Sequence, residues 1–383
     1  MAKLGDTIID GDLLVTGEFT SNSLDTNFEL LSNKITEWGP SPSDGEYPSA
    51  KLVKDTINNL NLEGGGGGGG GPTTEKIIGL FNEHPEDSYD VSWEHLTSKT
   101  DGAYNNWMVF LGECRDDNKR VVFLHGEYSV PSDMYFTMDS GGPILMPFMD
   151  IRGTRPNLGV TSGSLNYDVS VIKLNYSEGG SFCTDLYRTG ISAQISDIVI
   201  DCGNKAFFGI AVTGSYNSAS IERVQVLRAN AVGILVGHTN SIVKNCYCID
   251  CGVPLAGDQA AGIALVGDFN SSKASASVIE GCRVEGGSFA GIGLLEADYC
   301  KIVNCHVENF GKIGIGVIGG NNNIVTNNTV VRSQFANPQN NEFGILLNET
   351  NKGIVSNNIV DDGYIVENNS SDCLVENNIG DVL

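Results

Sequence analysis

Apolar residues in the second half of the chain come in short runs, and the runs themselves recur. A Gly-Ile-x-apolar tetrad opens at Gly209, Gly233, Gly262, Gly291, Gly314 and Gly344, at intervals of 24, 29, 29, 23 and 30 residues. Such a period is that of one turn of a solenoid. After most tetrads a second strand-like run follows, as in Ile242-Val243-Lys244-Asn245-Cys246 and Lys301-Ile302-Val303-Asn304-Cys305. In stacked coils, equivalent positions lie about 4.8 Å apart, so every alignment column becomes a ladder in space. One predicted core ladder is Ile210, Ile234, Ile263, Ile292, Ile315 and Ile345. Another is Val243, Ile279, Ile302, Val325, Val355 and Val375.

Two further columns carry polar chemistry. Asn245, Gly281, Asn304, Asn327, Asn357 and Asn377 suit a turn that requires positive φ. Beside them Cys246, Cys282, Cys305, Asn328, Asn358 and Asn378 form an inward ladder at a bend, where asparagine amides bond from coil to coil. Stacked thiols stand farther apart than the ~3.5–4.5 Å between Cβ atoms of a disulfide. Metal binding wants ligands that converge from several directions. The column is therefore read as structural, with no metal and no cofactor.

The first part of the chain is organised differently. Residues 5–19 alternate short apolar runs with Asp-Gly and Thr-Gly turns and predict two or three short strands. From Ser49, a candidate N-cap, Val53, Ile57 and Leu60 recur at helical spacing. A helix this short is marginal alone, so it packs either in an oligomeric bundle or back on its own strands. Residues 64–71 are eight consecutive glycines. They read as a flexible linker, or as extended chains packed at a trimer axis; either way they mark a domain boundary.

Val121-Val122-Phe123-Leu124-His125-Gly126-Glu127-Tyr128-Ser129-Val130 is similar to the opening strand and turn of pectate-lyase-like β-helices. Met149-Asp150-Ile151-Arg152, Val171-Ile172-Lys173-Leu174 and Ile195-Ser196-Asp197-Ile198-Val199-Ile200-Asp201 resemble that family's next strands. The N-terminal strands resemble the modules that open phage tail-fibre proteins, and Tyr47-Pro48-Ser49-Ala50-Lys51-Leu52-Val53-Lys54-Asp55 resembles a segment of gut-phage tail proteins. The resemblance implies an all-β chain. Its parts are an attachment and oligomerisation module at 1–63, a glycine linker at 64–72, a cap segment at 73–117 and a right-handed single-stranded parallel β-helix over 118–383. It also implies a virion tail-spike or tail-fibre protein that binds bacterial surface polysaccharide, with or without degrading it. The N-terminal module would meet other tail proteins, and the chain would form a homotrimer. Two other readings stay open: a structural or protein-binding tail component, and an epimerase or lyase on the same fold. The calcium-binding aspartate cluster of pectate lyases is not recognisable, which weakens the lyase reading. Tail spikes often end in a dedicated domain, whereas residues 374–383 are still repeat, so another tail protein or a receptor is expected to cover the last coil.

Composition narrows the partners. With 47 acidic against 23 basic residues the formal charge is −24, which repels phosphate backbones and disfavours nucleic acid. The 48 glycines fit a fold of many tight turns. No run reaches the ~18 apolar residues of a membrane span, and no apolar stretch follows the first residues. A soluble chain made in the host cytoplasm is expected, with its ten cysteines as buried thiols.

The candidate chemistry faces outward. In the tetrad strands the outward positions Ala211, Leu235, Ala264, Gly293, Gly316 and Leu346 carry no charge, so an insertion loop or neighbouring copies should cover them. Insertions at 253–259, 269–277 and 332–342 lengthen three coils and would shape a ligand groove. Beyond the cysteine ladder, Arg283-Val284-Glu285 and His306-Val307-Glu308 send their valines inward and the other four side chains outward, with Tyr247 in the matching place one coil earlier. Glu285 and Glu308 then stand one coil apart, a workable separation for a glycosidase carboxyl pair. Two close carboxylates would split into an acid and a base. Arg283 would hold an acidic sugar, His306 would tune the proton inventory, and Tyr247 would stack a sugar ring. The competing reading is a surface charge ladder. Glu296 with Asp298, Asp258 and Asp268 are further carboxylate candidates, while His84, His95, His125 and His238 have no partner nameable from sequence.

Overall fold

The computed structural model describes residues 74–382, except 81–88, 99–108, 115–116, 118, 131–149, 155–168, 175–182, 186–192, 214–217, 253–259, 268–273, 288 and 332–342. The expectations for the N-terminal module, the glycine run and most of the three insertions lie outside the described residues.

The described residues form a right-handed parallel β-helix built from three ladders of parallel strands. Each full coil contributes one strand to each ladder. For example, Val278–Glu280 lies in the first sheet, Arg283–Glu285 in the second and Ala290–Leu295 in the third. The tetrad strands make the third sheet, and their isoleucines pair in one unbroken register, 210 to 234 to 263 to 292 to 315 to 345. All six of these isoleucines are fully buried. At about 1.5–3 kcal/mol for each fully buried aliphatic side chain, this ladder stabilises the core by roughly 9–18 kcal/mol. In the first sheet Val243, Ile279, Ile302, Val325 and Val355 are likewise buried, and Val375 in the last coil is half-buried.

The corners follow from residue type. Asn245, Asn304, Asn327, Asn357 and Asn377 have φ between 51° and 58°, and Gly281 has φ 62°. Asparagine tolerates the left-handed region better than most side chains, so the column reads almost entirely Asn. In the neighbouring column the amides form the expected ladder. Asn328 Nδ2 donates to Asn358 Oδ1 at 3.0 Å, and Asn358 Nδ2 donates to Asn378 Oδ1 at 2.9 Å. Where the column turns to sulfur, the backbone N of Cys246 donates to Cys282 Sγ at 3.4 Å. Those cysteines are free thiols in the core.

The tetrad glycines have a packing reason. A Cβ at Gly262 would lie 2.4 Å from Val284 Cγ1 and 2.9 Å from the Gly291 carbonyl oxygen, and one at Gly291 would lie 2.3 Å from Val307 Cγ1. The third sheet thus crowds against the inward valine of the second sheet at a distance only glycine allows.

The segment expected to cap the helix already supplies a strand. Thr74–Gly79 pairs in parallel with Lys119–Phe123, with Ile77 opposite Val122. The short helix Trp93–Thr97, N-capped by Ser92, places Trp93 edge-on to Phe123 and Tyr128, at ring-centroid distances of 5.9 and 5.8 Å. At the other end the strand Ile359–Asn368 is long enough to join two sheets. Its first residues pair with Thr329–Val331 and its later ones with Phe343–Asn348.

Candidate functional site

The outer face of the second sheet changes character along its length. In its earlier strands the outward residues Val171, Val199, Leu227, Tyr247 and Ile249 are buried and pack together as a cluster separate from the core, with the buried Asp201 and Gln225 in the same columns. One coil later the same columns hold Arg283 and Glu285, in register with Tyr247 and Ile249, and then His306 and Glu308. Between them Val284 and Val307 are buried in the core, so the pleat sends all four ionisable side chains outward. The structure therefore brings together all five predicted residues, on three consecutive coils, where an apolar covered surface gives way to an open charged one.

The contacts assign each group a different part from the one its residue type suggested. Arg283 Nε donates to Glu308 Oε1 at 3.0 Å, its Nη2 also binds that oxygen, and the same nitrogen lies 3.5 Å from Glu285 Oε2. The guanidinium also sits 5.1 Å above the centre of the Tyr247 ring. The Tyr247 hydroxyl donates to Glu285 Oε2. His306 Nε2 stands 3.5 Å from Glu308 Oε2. Tyr247 is only 5% exposed and lies under Arg283, so it offers no free ring face to a sugar; it positions Glu285 instead. Arg283 is already engaged by two carboxylates and a ring, which leaves little of it for an acidic sugar.

The proton inventory follows. Burial pushes the Glu308 carboxyl up, but hydrogen bonds and charge from Arg283, and then His306, outweigh it and hold Glu308 below the usual carboxylate range. Burial, followed by the bond to Glu285, raises the Tyr247 phenol well above its ordinary value. Glu308 is thus an ionised partner of Arg283, and Tyr247 keeps its proton and gives it to a hydrogen bond. The raised carboxyl that an acid–base pair requires is not found at Glu308.

The other sequence candidates fall elsewhere. Asp298 accepts from Asn321 N at 2.8 Å and from Asn321 Nδ2 at 3.0 Å, and Asn351 continues that chain, so Asp298 belongs to a coil-to-coil ladder. Glu296 occupies a positive-φ turn. Asp258, Asp268 and His84 lie outside the described residues. His95 and His125 are not part of the patch, and His238 is buried in the third-sheet region. In the uncharged outward row of the third sheet, Ala211, Leu235 and Ala264 are buried in the single chain, with Val232 and Ile313 beside them, while Gly293 and Leu346 are half-buried.

Sequence reading missed the charged corners. Arg223 binds Asp197 one coil away through two bonds of 2.6 and 2.9 Å, and Arg228 binds Asp201 in the same manner. For the first pair the signal was an Asp and an Arg falling in one turn column on successive coils, whereas Arg228 lies one position beyond Leu227, the residue opposite Asp201. Among the described residues no group of three or more His, Cys, Asp or Glu side chains is placed to hold a metal ion. No helix among them is long and apolar enough to cross a membrane.

No curated protein is significantly similar to the chain in sequence. Residues 208–379 match the family described as right handed beta helix region. Among solved structures, the surface adhesin PfbA of Streptococcus pneumoniae is 13% identical, with 72% of this chain and 75% of that one covered and a TM-score of 0.52. The A-module of the Azotobacter vinelandii mannuronan C-5 epimerase AlgE4 is 15% identical over 73% of this chain and 91% of its own, with a TM-score of 0.40. The Dettilon tailspike protein is 13% identical, with a TM-score of 0.43; the match covers 74% of this chain and about half, 52%, of the tailspike. At these identities the likeness is one of fold: the chain carries a right-handed β-helix.

Proposed function

We propose that the chain is a phage tail-spike or tail-fibre protein whose β-helix binds a bacterial surface polysaccharide along the outer face of the second sheet, without cleaving it. The observation that carries the binding reading is the capture of Arg283 by Glu308 and Glu285 above the buried Tyr247. This fixes two carboxylates at the edge of a rigid, partly apolar surface, with Glu308 held in its ionised form by Arg283. Tail assignment rests on the sequence pattern of residues 1–71, with its predicted strands, predicted helix and glycine run, and on the long solenoid that follows in the chain. In this reading the first module meets other tail proteins and brings three copies together, and the virion is where the protein acts.

The test is one preparation of host-surface polysaccharide and two measurements. Binding of the full-length protein is followed by interferometry, and polymer length by size-exclusion chromatography after prolonged incubation. The expected result is saturable binding with no shortening, and a loss of about tenfold or more in affinity for the double variant E285Q/E308Q. Shortening of the polymer that both single variants, E285Q and E308Q, abolish would replace this reading with that of a depolymerase.

A further inference from the structure

We infer that the glycan taken by this face is uncharged and rich in hydroxyl groups, not a uronate-bearing or otherwise anionic polymer; the inference rests on reading the face as a glycan site. The charges on the patch argue for it. Across the paired strands Arg283–Glu285 and His306–Glu308 there are two glutamates against one arginine. That arginine already spends Nε and Nη2 on Glu308, approaches Glu285, and lies over the Tyr247 ring. An anionic sugar would have to compete with Glu308 for the guanidinium. If it won, it would leave one coil with an unpaired carboxylate beside the ligand's own. The whole chain, at a formal −24, adds a repulsive field to any polyanion that approaches.

What the patch does hold in reserve is acceptor capacity. A carboxylate has about four acceptor positions. Glu308 uses Oε1 on Arg283, while its Oε2 meets only His306, at 3.5 Å. Glu285 uses Oε2 on Tyr247 and has no described bond at Oε1. Two carboxyl groups with free acceptor positions on adjacent coils, about 4.8 Å apart along the axis, are complementary to hydroxyl donors repeated along an extended sugar chain. Such donors are what a neutral glycan supplies and what a carboxylate or sulfate group lacks.

The experiment uses an array of bacterial capsular and O-antigen polysaccharides sorted into neutral, cationic and uronate-bearing sets, probed with the full-length protein. Retention on neutral polymers is expected, changing less than about twofold between roughly 50 and 500 mM salt, because no net charge is neutralised on binding. The variant E285Q/E308Q should lose about tenfold or more of that binding while R283Q loses less. Far-ultraviolet circular dichroism of each variant confirms that the coils are intact. Binding confined to the uronate or the cationic set, or lost with R283Q but kept by E285Q/E308Q, overturns the inference while the glycan site stands. Binding to no polysaccharide overturns the glycan reading and this inference with it.

Discussion

Replacing Asn358 with alanine tests whether the amide ladder stabilises the solenoid or merely decorates it. Asn358 is fully buried. Its Oδ1 accepts from the backbone N and the Nδ2 of Asn328, both at 3.0 Å, and its Nδ2 donates to Val325 O at 3.0 Å and to Asn378 Oδ1 at 2.9 Å. Four bonds at a net ~1 kcal/mol each set the scale. Asn378 is only half-buried and can turn to water, but Asn328 N and Val325 O cannot, so the expected loss is about 3–4 kcal/mol. Cysteine should cost about half as much. In the same column the Cys282 thiol accepts from Cys246 N at 3.4 Å and donates to Val243 O at 3.5 Å, which shows the weaker bonds a sulfur makes there. Aspartate should be worse than alanine, since it buries a charge and loses both donors. Urea unfolding followed by circular dichroism gives the ranking. Hydrogen exchange should place the loss in the strands Ile324–Thr326 and Ile354–Ser356, because each coil of a solenoid leans only on its neighbours. A cost below about 1 kcal/mol for N358A, or no difference between N358A and N358C, would refute the reasoning.

Three further outcomes are expected. Gly262→Ala should destabilise by about 1–3 kcal/mol through its clash with Val284, and the double variant G262A/V284A should show a favourable coupling in a double-mutant cycle. Asn304, at φ 55°, should lose about 1 kcal/mol on change to alanine and almost nothing on change to glycine, as read from melting curves. The carboxyl of Glu308 is held low in the fold, so its contribution is present above the unfolded carboxylate value and is lost as pH falls through the lowered folded value. The stability gap between the wild type and R283Q should therefore stay level from neutral pH to about pH 5 and close below about pH 4, and a gap that widens on acidification would contradict the ion pair.

Much of the fold was legible because a solenoid writes its register into the sequence. The isoleucine ladder, the asparagine turn column and the change from cysteine to asparagine could each be read by aligning coils, and each stands as read. The valine partners of the tetrad glycines were not legible, since a glycine announces closeness without naming what is close. At the site, alternation gave the outward direction of Arg283, Glu285, His306 and Glu308, but direction does not reveal which partner a flexible side chain chooses. Arg283 could have reached toward solvent; it folds onto Tyr247 and Glu308 instead. Tyr247 is covered because its column, Val171, Val199, Gln225 and then Tyr247, is withdrawn from water in the coils before Arg283, a trend visible only when the alignment is carried to earlier coils.

The unbroken pairing of Ile292 with Ile315 has a consequence for length. Residues 292–314 are one complete circuit, and excising them sets Ile315 in the place Ile292 held, with every ladder spliced like to like. The rod can therefore shorten or grow by whole circuits, as beads leave or join a string, while its cross-section stays the same. The charged patch has no such freedom. It straddles three successive circuits, and the excision removes both His306 and Glu308 and brings Val331, the next residue in that column, opposite Glu285. Overall length is an adjustable quantity in this molecule, and the patch belongs to one junction along it.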